Sequence, residues 1–314
     1  MHKQVRIPIR VVPTFFRFFA KKTSMERERK PAWLKIRLSG GEDYAKVNKI
    51  VKQHGLHTIC SSGMCPNIHE CWGNGTATFM ILGDICTRSC KFCATTTGKP
   101  GTVDPNEPEN LANSVKLMQL KHCVITSVTR DDLPDEGAAH WAETIRKVKE
   151  VNPNTKVEVL IPDFNGSTQL LDIVLSANAD IVAHNLETVE RLTPSVRSAA
   201  KYHRSLEVIK YISSQGVLSK SGIMLGLGET REEVLATMDH LLDAGCQMIT
   251  IGQYLRPRNE NLPVERYVEP TEFEELRKIA LEKGFRFAES GPLVRSSYHA
   301  EQAIAKARNE QNRL

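Results

Sequence analysis

The sequence predicts an α/β fold: an incomplete (β/α)6 TIM-like parallel barrel with an extension at each end. Three observations lead there. Apolar runs of strand length recur at 78–82, 123–128, 156–161, 181–183, 222–227 and 248–253. Helical patterns alternate with them at 108–120, 136–150, 167–177, 205–215 and 230–244. The chain, at 314 residues, has room for one sizeable core. Strands that are apolar throughout belong in a parallel sheet covered on both faces, and six βα units are too few to close an eight-stranded ring.

The chain divides accordingly into a basic leader (1–24), an N-terminal extension (25–75), the partial barrel (76–256) and a C-terminal helix with its tail (257–314). The leader carries Lys3, Arg6, Arg10, Arg17, Lys21 and Lys22 and no acid, so it accounts for the formal net charge of +5. The near-neutral remainder lacks the basic face that phosphates need, and no nucleic-acid partner is expected. In charge and in Phe15, Phe16, Phe18 and Phe19 the leader resembles a mitochondrial targeting segment, yet Pro8 and Pro13 interrupt an amphipathic helix. Translation from Met25 and a cytoplasmic location are therefore expected; a working leader would instead imply a mitochondrial one. No apolar run approaches the roughly 20 residues that span a bilayer, so no membrane partner is expected.

In the N-terminal extension, Tyr44, Val47, Ile50 and Val51 share one helical face, with Gly55 as the stop. Two cysteine constellations follow. Cys60, Cys65 and Cys71 are spaced C-x4-C-x5-C, and Cys86, Cys90 and Cys93 are spaced C-x3-C-x2-C with Phe92 before the last. A chain with 8 cysteines in 314 residues is too sparse for a disulfide framework, and its cysteines read as metal ligands in a reducing compartment. The second trio can ligate three irons of an iron–sulfur cubane and leave the fourth open to a substrate or cofactor. A zinc site would present paired C-x2-C knuckles and four ligands. The first trio is too wide for a knuckle and suits a second cluster. Cys123 and Cys246, alone at a strand start and a helix end, read as small core residues.

The second trio follows the first strand, which puts it at the C-terminal mouth of the sheet, where parallel α/β folds bind ligands. Other polar residues share that position: Asp131 after the second strand, Asn185 and Glu187 after the fourth, and Glu229 after the fifth. Asp131 and Glu229 have turn-capping and helix-starting roles as alternatives. The stretch 222–228 lacks a complete G-x-G-x-x-G and reads as room for close backbone approach to a ligand. His184, at the mouth by position, reads as a hydrogen-bonded structural histidine, with contact to substrate as the alternative. Near the C-terminus a helix over 271–283 stops at Gly284.

The C-x3-C-x2-C spacing with its aromatic resembles the radical S-adenosylmethionine superfamily. Together with CPNIHECW, GDICTRSCKFCATTTGKP, VTRDD, AHNLETV, GIMLGLGE and GPLVRSSYHA, in that order, it resembles the lipoyl synthase family from Lys30 to about Ala300. That resemblance implies two [4Fe-4S] clusters and S-adenosyl-L-methionine as cofactors. Cys86, Cys90 and Cys93 match the ligands of the cluster that cleaves S-adenosylmethionine. Cys60, Cys65 and Cys71 match three ligands of an auxiliary, sulfur-donating cluster, and Ser297 in RSSY matches the fourth. Asp131, Asn185 and Glu187 become candidates to hold S-adenosylmethionine. The implied reaction inserts two sulfur atoms at C6 and C8 of an octanoyl-lysine chain. The implied partners are octanoylated lipoyl carrier domains of 2-oxoacid dehydrogenase complexes or the glycine-cleavage H protein, and a reductant such as ferredoxin or flavodoxin. Rival readings are a biotin-synthase-like sulfur inserter, a two-cluster electron carrier and a zinc-stabilised module. The trio ahead of the C-x3-C-x2-C motif disfavours the first, and the lack of a C-x2-C-x2-C run the second.

Overall fold

The computed structural model describes residues 30–35, 45, 48–51, 58, 60, 65 and 67–298. The leader, Tyr44, Val47 and Gly55 lie outside them, and 48–51 are helical as the pattern predicts. Seven parallel strands form one sheet in chain order: β1 (Thr76–Ile81), β2 (His122–Ser127), β3 (Lys156–Leu160), β4 (Ile181–Ala183), β5 (Ser219–Leu225), β6 (Met248–Gln253) and β7 (Phe287–Gly291). The described helices are α1 (Ile68–Gly73), α2 (Glu107–Leu117), α3 (Ala138–Val151), α4 (Thr168–Leu175), α5 (Thr193–Val196), α6 (Tyr202–Ser214), α7 (Arg231–Asp243) and α8 (Pro270–Lys283). The open (β/α) barrel is thus as expected, with one addition. β7 is the sequence FAESG, too short in apolar residues to announce a strand; it forms because β6 offers it a parallel partner.

Local signals explain where the helices begin and end. At α7 the Thr230 hydroxyl accepts the Glu233 N–H, and the Glu233 carboxylate accepts the Thr230 N–H, a reciprocal cap. At α4 the Ser167 hydroxyl accepts the Leu170 N–H, and α8 ends at Gly284 in the left-handed region (φ 115°). Period-two alternation along the strands then sorts the core. Val157 and Val159 pack outward with Trp141 and Ile145 of α3. Glu158, between them, points into the barrel. There it meets Lys220 Nζ at 2.8 Å and His122 Nε2 at 3.3 Å, all three fully buried. Burial alone would raise the Glu158 carboxyl, but Lys220 and His122 together hold it below its usual value. Cys123 and Cys246 are buried core residues as read, and burial pushes the Cys246 thiol up to about 12.

β1 and β7 stand at opposite edges of the sheet. The tail after β7 runs from one to the other: Asn67 donates to the Leu293 carbonyl at 2.6 Å, and the Thr78 hydroxyl of β1 donates to Ser297 Oγ at 2.9 Å. Thr58 adds an antiparallel bridge to Phe79 on the β1 edge. The N-terminal extension and the C-terminal tail therefore converge on the first strand.

Candidate active site

The loop after β1 carries the second cysteine trio, and its own backbone fixes it. Ile85–Cys86 pairs with Thr96–Thr97 in a two-residue ladder. Phe92 packs with Val196, Leu227 and Tyr254, so the aromatic before the last cysteine is an anchor. Lys91 N–H donates to the Val196 carbonyl at 2.9 Å, and Asn261 donates to the Cys93 carbonyl at 2.9 Å. Arg88 ties the loop to two further strand ends. It makes a forked pair with Asp131 (2.9 and 2.7 Å) and reaches the buried Asp163 at 2.7 Å. Burial opposes ionisation of both acids, yet the guanidinium holds each below the ordinary aspartate range.

A cavity of about 330 Å³ opens at the C-terminal ends of the strands, a size that suits a small molecule. Cys86, Cys90, Cys93, Asn185 and Glu187 all line it. Asp131 is absent from the lining; its carboxylate faces Arg88 and Thr87 instead. Glu187 adopts φ 68°, a costly conformation for a non-glycine, with its backbone locked to Gly222 and Met224 by bonds of 2.9 Å. Burial raises the Glu187 carboxyl despite Arg197 nearby. His184 also lines the cavity; it bonds the Ile161 carbonyl and Ser205 Oγ, each at 2.9 Å, and burial lowers it to about 4. Glu229 accepts the N–H groups of Gly226 (2.7 Å) and Leu227 (2.9 Å), which makes it the keystone of its own turn.

The donor set fits an iron–sulfur cluster. N–H groups of Arg88 and Thr129 point at Cys86 Sγ (3.4 and 3.3 Å), and that of Thr95 at Cys93 Sγ (3.4 Å). Such bonds stabilise thiolates and tune cluster potential. Burial raises the Cys90 thiol, so metal loading must displace its proton. Among the described residues no three Cys, His, Asp or Glu side chains converge on a single ion. A cubane asks for a different layout, with one thiolate on each of three irons.

The first trio gathers around the RSSY tail. Cys60 is buried against the Thr78 carbonyl (3.9 Å), and the Thr78 hydroxyl holds Ser297. The Cys65 N–H donates to the Cys60 carbonyl at 3.0 Å. Burial raises the Cys65 thiol and the nearby Arg295 opposes that rise. The Tyr298 phenol is raised by burial and by the charges of Glu70 and Cys71. Residues 295–298 thus lie beside all three cysteines. Sequence reasoning missed Arg88, Asp163 and Arg197. Arg88 stands inside the quoted cysteine motif, and Asp163 follows an apolar strand as Asp131 does, so the rule that found one would have found the other.

The chain has clear relatives among known proteins. The profile of the radical SAM superfamily matches residues 80–241. A Parabacteroides distasonis protein named lipoyl synthase is 61% identical over 276 residues, covering 88% of this chain and 98% of its own. A Nematostella vectensis protein named mitochondrial lipoyl synthase is 56% identical over 279 residues, covering 88% and 96%. Among solved structures, methylornithine synthase superposes with a TM-score of 0.52 at 14% identity, over 85% of this chain and 87% of its own. At that identity the likeness concerns the fold alone.

Proposed function

The chain belongs to the lipoyl synthases of the radical SAM superfamily, and from that premise we propose how its residues divide the work. The observation that carries the proposal is one cavity lined by Cys86, Cys90 and Cys93 and also by Asn185 and Glu187. Cys86, Cys90 and Cys93 hold a [4Fe-4S] cluster, and Asn185 and Glu187 hold S-adenosylmethionine against it. Cys60, Cys65, Cys71 and Ser297 hold the auxiliary [4Fe-4S] cluster. When bound, these groups supply a 5'-deoxyadenosyl radical for hydrogen abstraction and the sulfur that replaces the hydrogen at C6 and C8 of an octanoyl-lysine chain.

An unactivated C–H bond is beyond acid–base chemistry at any side chain, so the protein's task is binding, orientation and exclusion of water. Arg88, clamped by Asp131 and Asp163, keeps the cysteine loop fixed on the strand ends. Asp131 thereby acts on the loop and not on the cofactor. Asn185 and Glu187 present a buried acceptor and a carboxylate to the polar groups of a ligand. Met80, Leu160 and Ile161 line the same cavity and suit an apolar chain. Octanoylated lipoyl carrier domains or the H protein supply that chain, and ferredoxin or flavodoxin supplies electrons. No helix among the described residues is long and apolar enough to cross a membrane. The relatives include a bacterial protein and one named mitochondrial lipoyl synthase, and the location proposed for this chain is the cytoplasm.

The test is anaerobic incubation of the reconstituted protein with S-adenosylmethionine, a strong reductant and an octanoyl-lysyl peptide. Gain of two sulfurs by mass spectrometry, alongside 5'-deoxyadenosine, is expected. Deoxyadenosine without sulfur on the peptide would remove the substrate from this reading.

A further inference from the structure

Adjacent serines of the tail reach the two halves of the site. Ser297 accepts the Thr78 hydroxyl at 2.9 Å beside Cys60. Ser296 accepts an amide N–H of Asn185 at 2.8 Å. Asn185 gives its other N–H to Glu187 Oε1 at 3.1 Å. Both donors are engaged at one end of the amide, and two acceptors fix the orientation of its plane, since a flipped amide would turn its oxygen onto a carboxylate. The opposite end, Oδ1, is buried without a partner in a residue only 7% exposed that lines the cysteine cavity. Gly222 leaves room beside it: a β-carbon there would stand 3.0 Å from that oxygen. A buried acceptor in this state is unfavourable until a ligand brings it a donor.

We propose that Ser296 is a positioning residue that couples ligand binding in the cysteine cavity to docking of the tail that carries Ser297. The inference rests on the reading of that cavity as the S-adenosylmethionine site. A hydroxyl or ammonium of the ligand, donating to Asn185 Oδ1, holds the amide plane in the orientation that grips Ser296. The docked tail in turn presets Asn185 for the ligand, because coupling between two sites is reciprocal. The consequence for the reaction is order: the radical source and the sulfur source are assembled together, and a radical formed with the tail adrift is lost to solvent.

Hydrogen–deuterium exchange of residues 292–298 tests this in the cluster-loaded protein with and without S-adenosylmethionine. No reductant is added, so nothing turns over. One hydrogen bond at stake predicts that S-adenosylmethionine slows tail exchange about fivefold in the wild type. Ser296→Thr, which keeps the hydroxyl, retains the effect, and Ser296→Ala loses it. With reductant and octanoyl-lysyl peptide, Ser296→Ala then releases about fivefold more 5'-deoxyadenosine per sulfur inserted. Equal protection of the tail in Ser296→Ala would overturn the coupling. So would S-adenosylmethionine that binds the wild type, by equilibrium dialysis, without protecting the tail. Should Ser296→Ala fail to fold, the wild-type and Ser296→Thr exchange profiles still decide. Exchange needs no sulfur transfer, so a wild type that protects its tail yet inserts no sulfur would sink the proposed function and leave the coupling standing.

Discussion

Replacing Gly252 with alanine displaces the tail without touching a ligand. A β-carbon on Gly252 would stand 2.2 Å from the Val294 carbonyl oxygen and 3.2 Å from its carbon, both backbone atoms. Non-bonded heavy atoms settle at roughly 3.5 Å, so the tail must retreat by about 1 Å. Gly252 has no left-handed φ, and alanine adds no strain of its own. The retreat pulls on three hydrogen bonds: Asn67 to Leu293 (2.6 Å), Thr78 to Ser297 (2.9 Å) and Asn185 to Ser296 (2.8 Å). At about 1 kcal/mol each, their loss is about 3 kcal/mol, or about 100-fold in the docking equilibrium. Hydrogen exchange at residues 292–298 should therefore quicken by about that factor, and sulfur insertion should fall in parallel. Release of 5'-deoxyadenosine should persist, because the Cys86–Cys93 loop is anchored by Arg88, Phe92 and Asn261 and not by the tail. Native exchange together with native sulfur insertion in Gly252→Ala would refute this account of the tail.

Lys220→Met strands the buried Glu158 carboxylate, and urea unfolding should show a loss of about 3–5 kcal/mol at neutral pH. With Lys220 present the folded carboxyl lies below its usual value, so its stabilisation holds above that value and fades in acid. Without Lys220, burial raises the carboxyl instead; the folded state then takes up protons first, and the variant should gain stability as pH falls from 7 toward 5 while the wild type does not. Cys90→Ala should abolish cleavage of S-adenosylmethionine, whereas Cys65→Ala should retain cleavage and lose sulfur transfer, read as deoxyadenosine and peptide mass. Equal loss of both activities in both variants, with folding intact, would contradict two separable sites. Ser297→Ala should likewise keep cleavage and lose sulfur insertion; wild-type insertion would show that Ser297 is no ligand.

The strands were legible because parallel barrels bury both faces, which leaves unbroken apolar runs such as 123–128 and 222–227. β7 was not, since FAESG sits at an edge and owes its extension to β6. The two cysteine trios stand out in the sequence by spacing, and Asn185 by its position after a strand, which is how the candidate site came to include them. The part Asp131 plays was not, because its partner Arg88 is 43 residues away in sequence and meets it only when the loop folds onto the strand ends. The buried Lys220–Glu158–His122 group escaped notice for the same reason: its members occupy three strands, and each alone looks like a polar residue at a strand start.

On the proposed division of the chemistry, the site assigned to Cys60, Cys65, Cys71 and Ser297 gives up the sulfur. The most direct measurement is a single turnover of protein reconstituted with isotopically labelled sulfide, washed, and run with no other sulfur source. Label is expected at both inserted positions in the wild type, with none transferred by Cys65→Ala. Unlabelled sulfur in the product, or labelled product from Cys65→Ala, would contradict it.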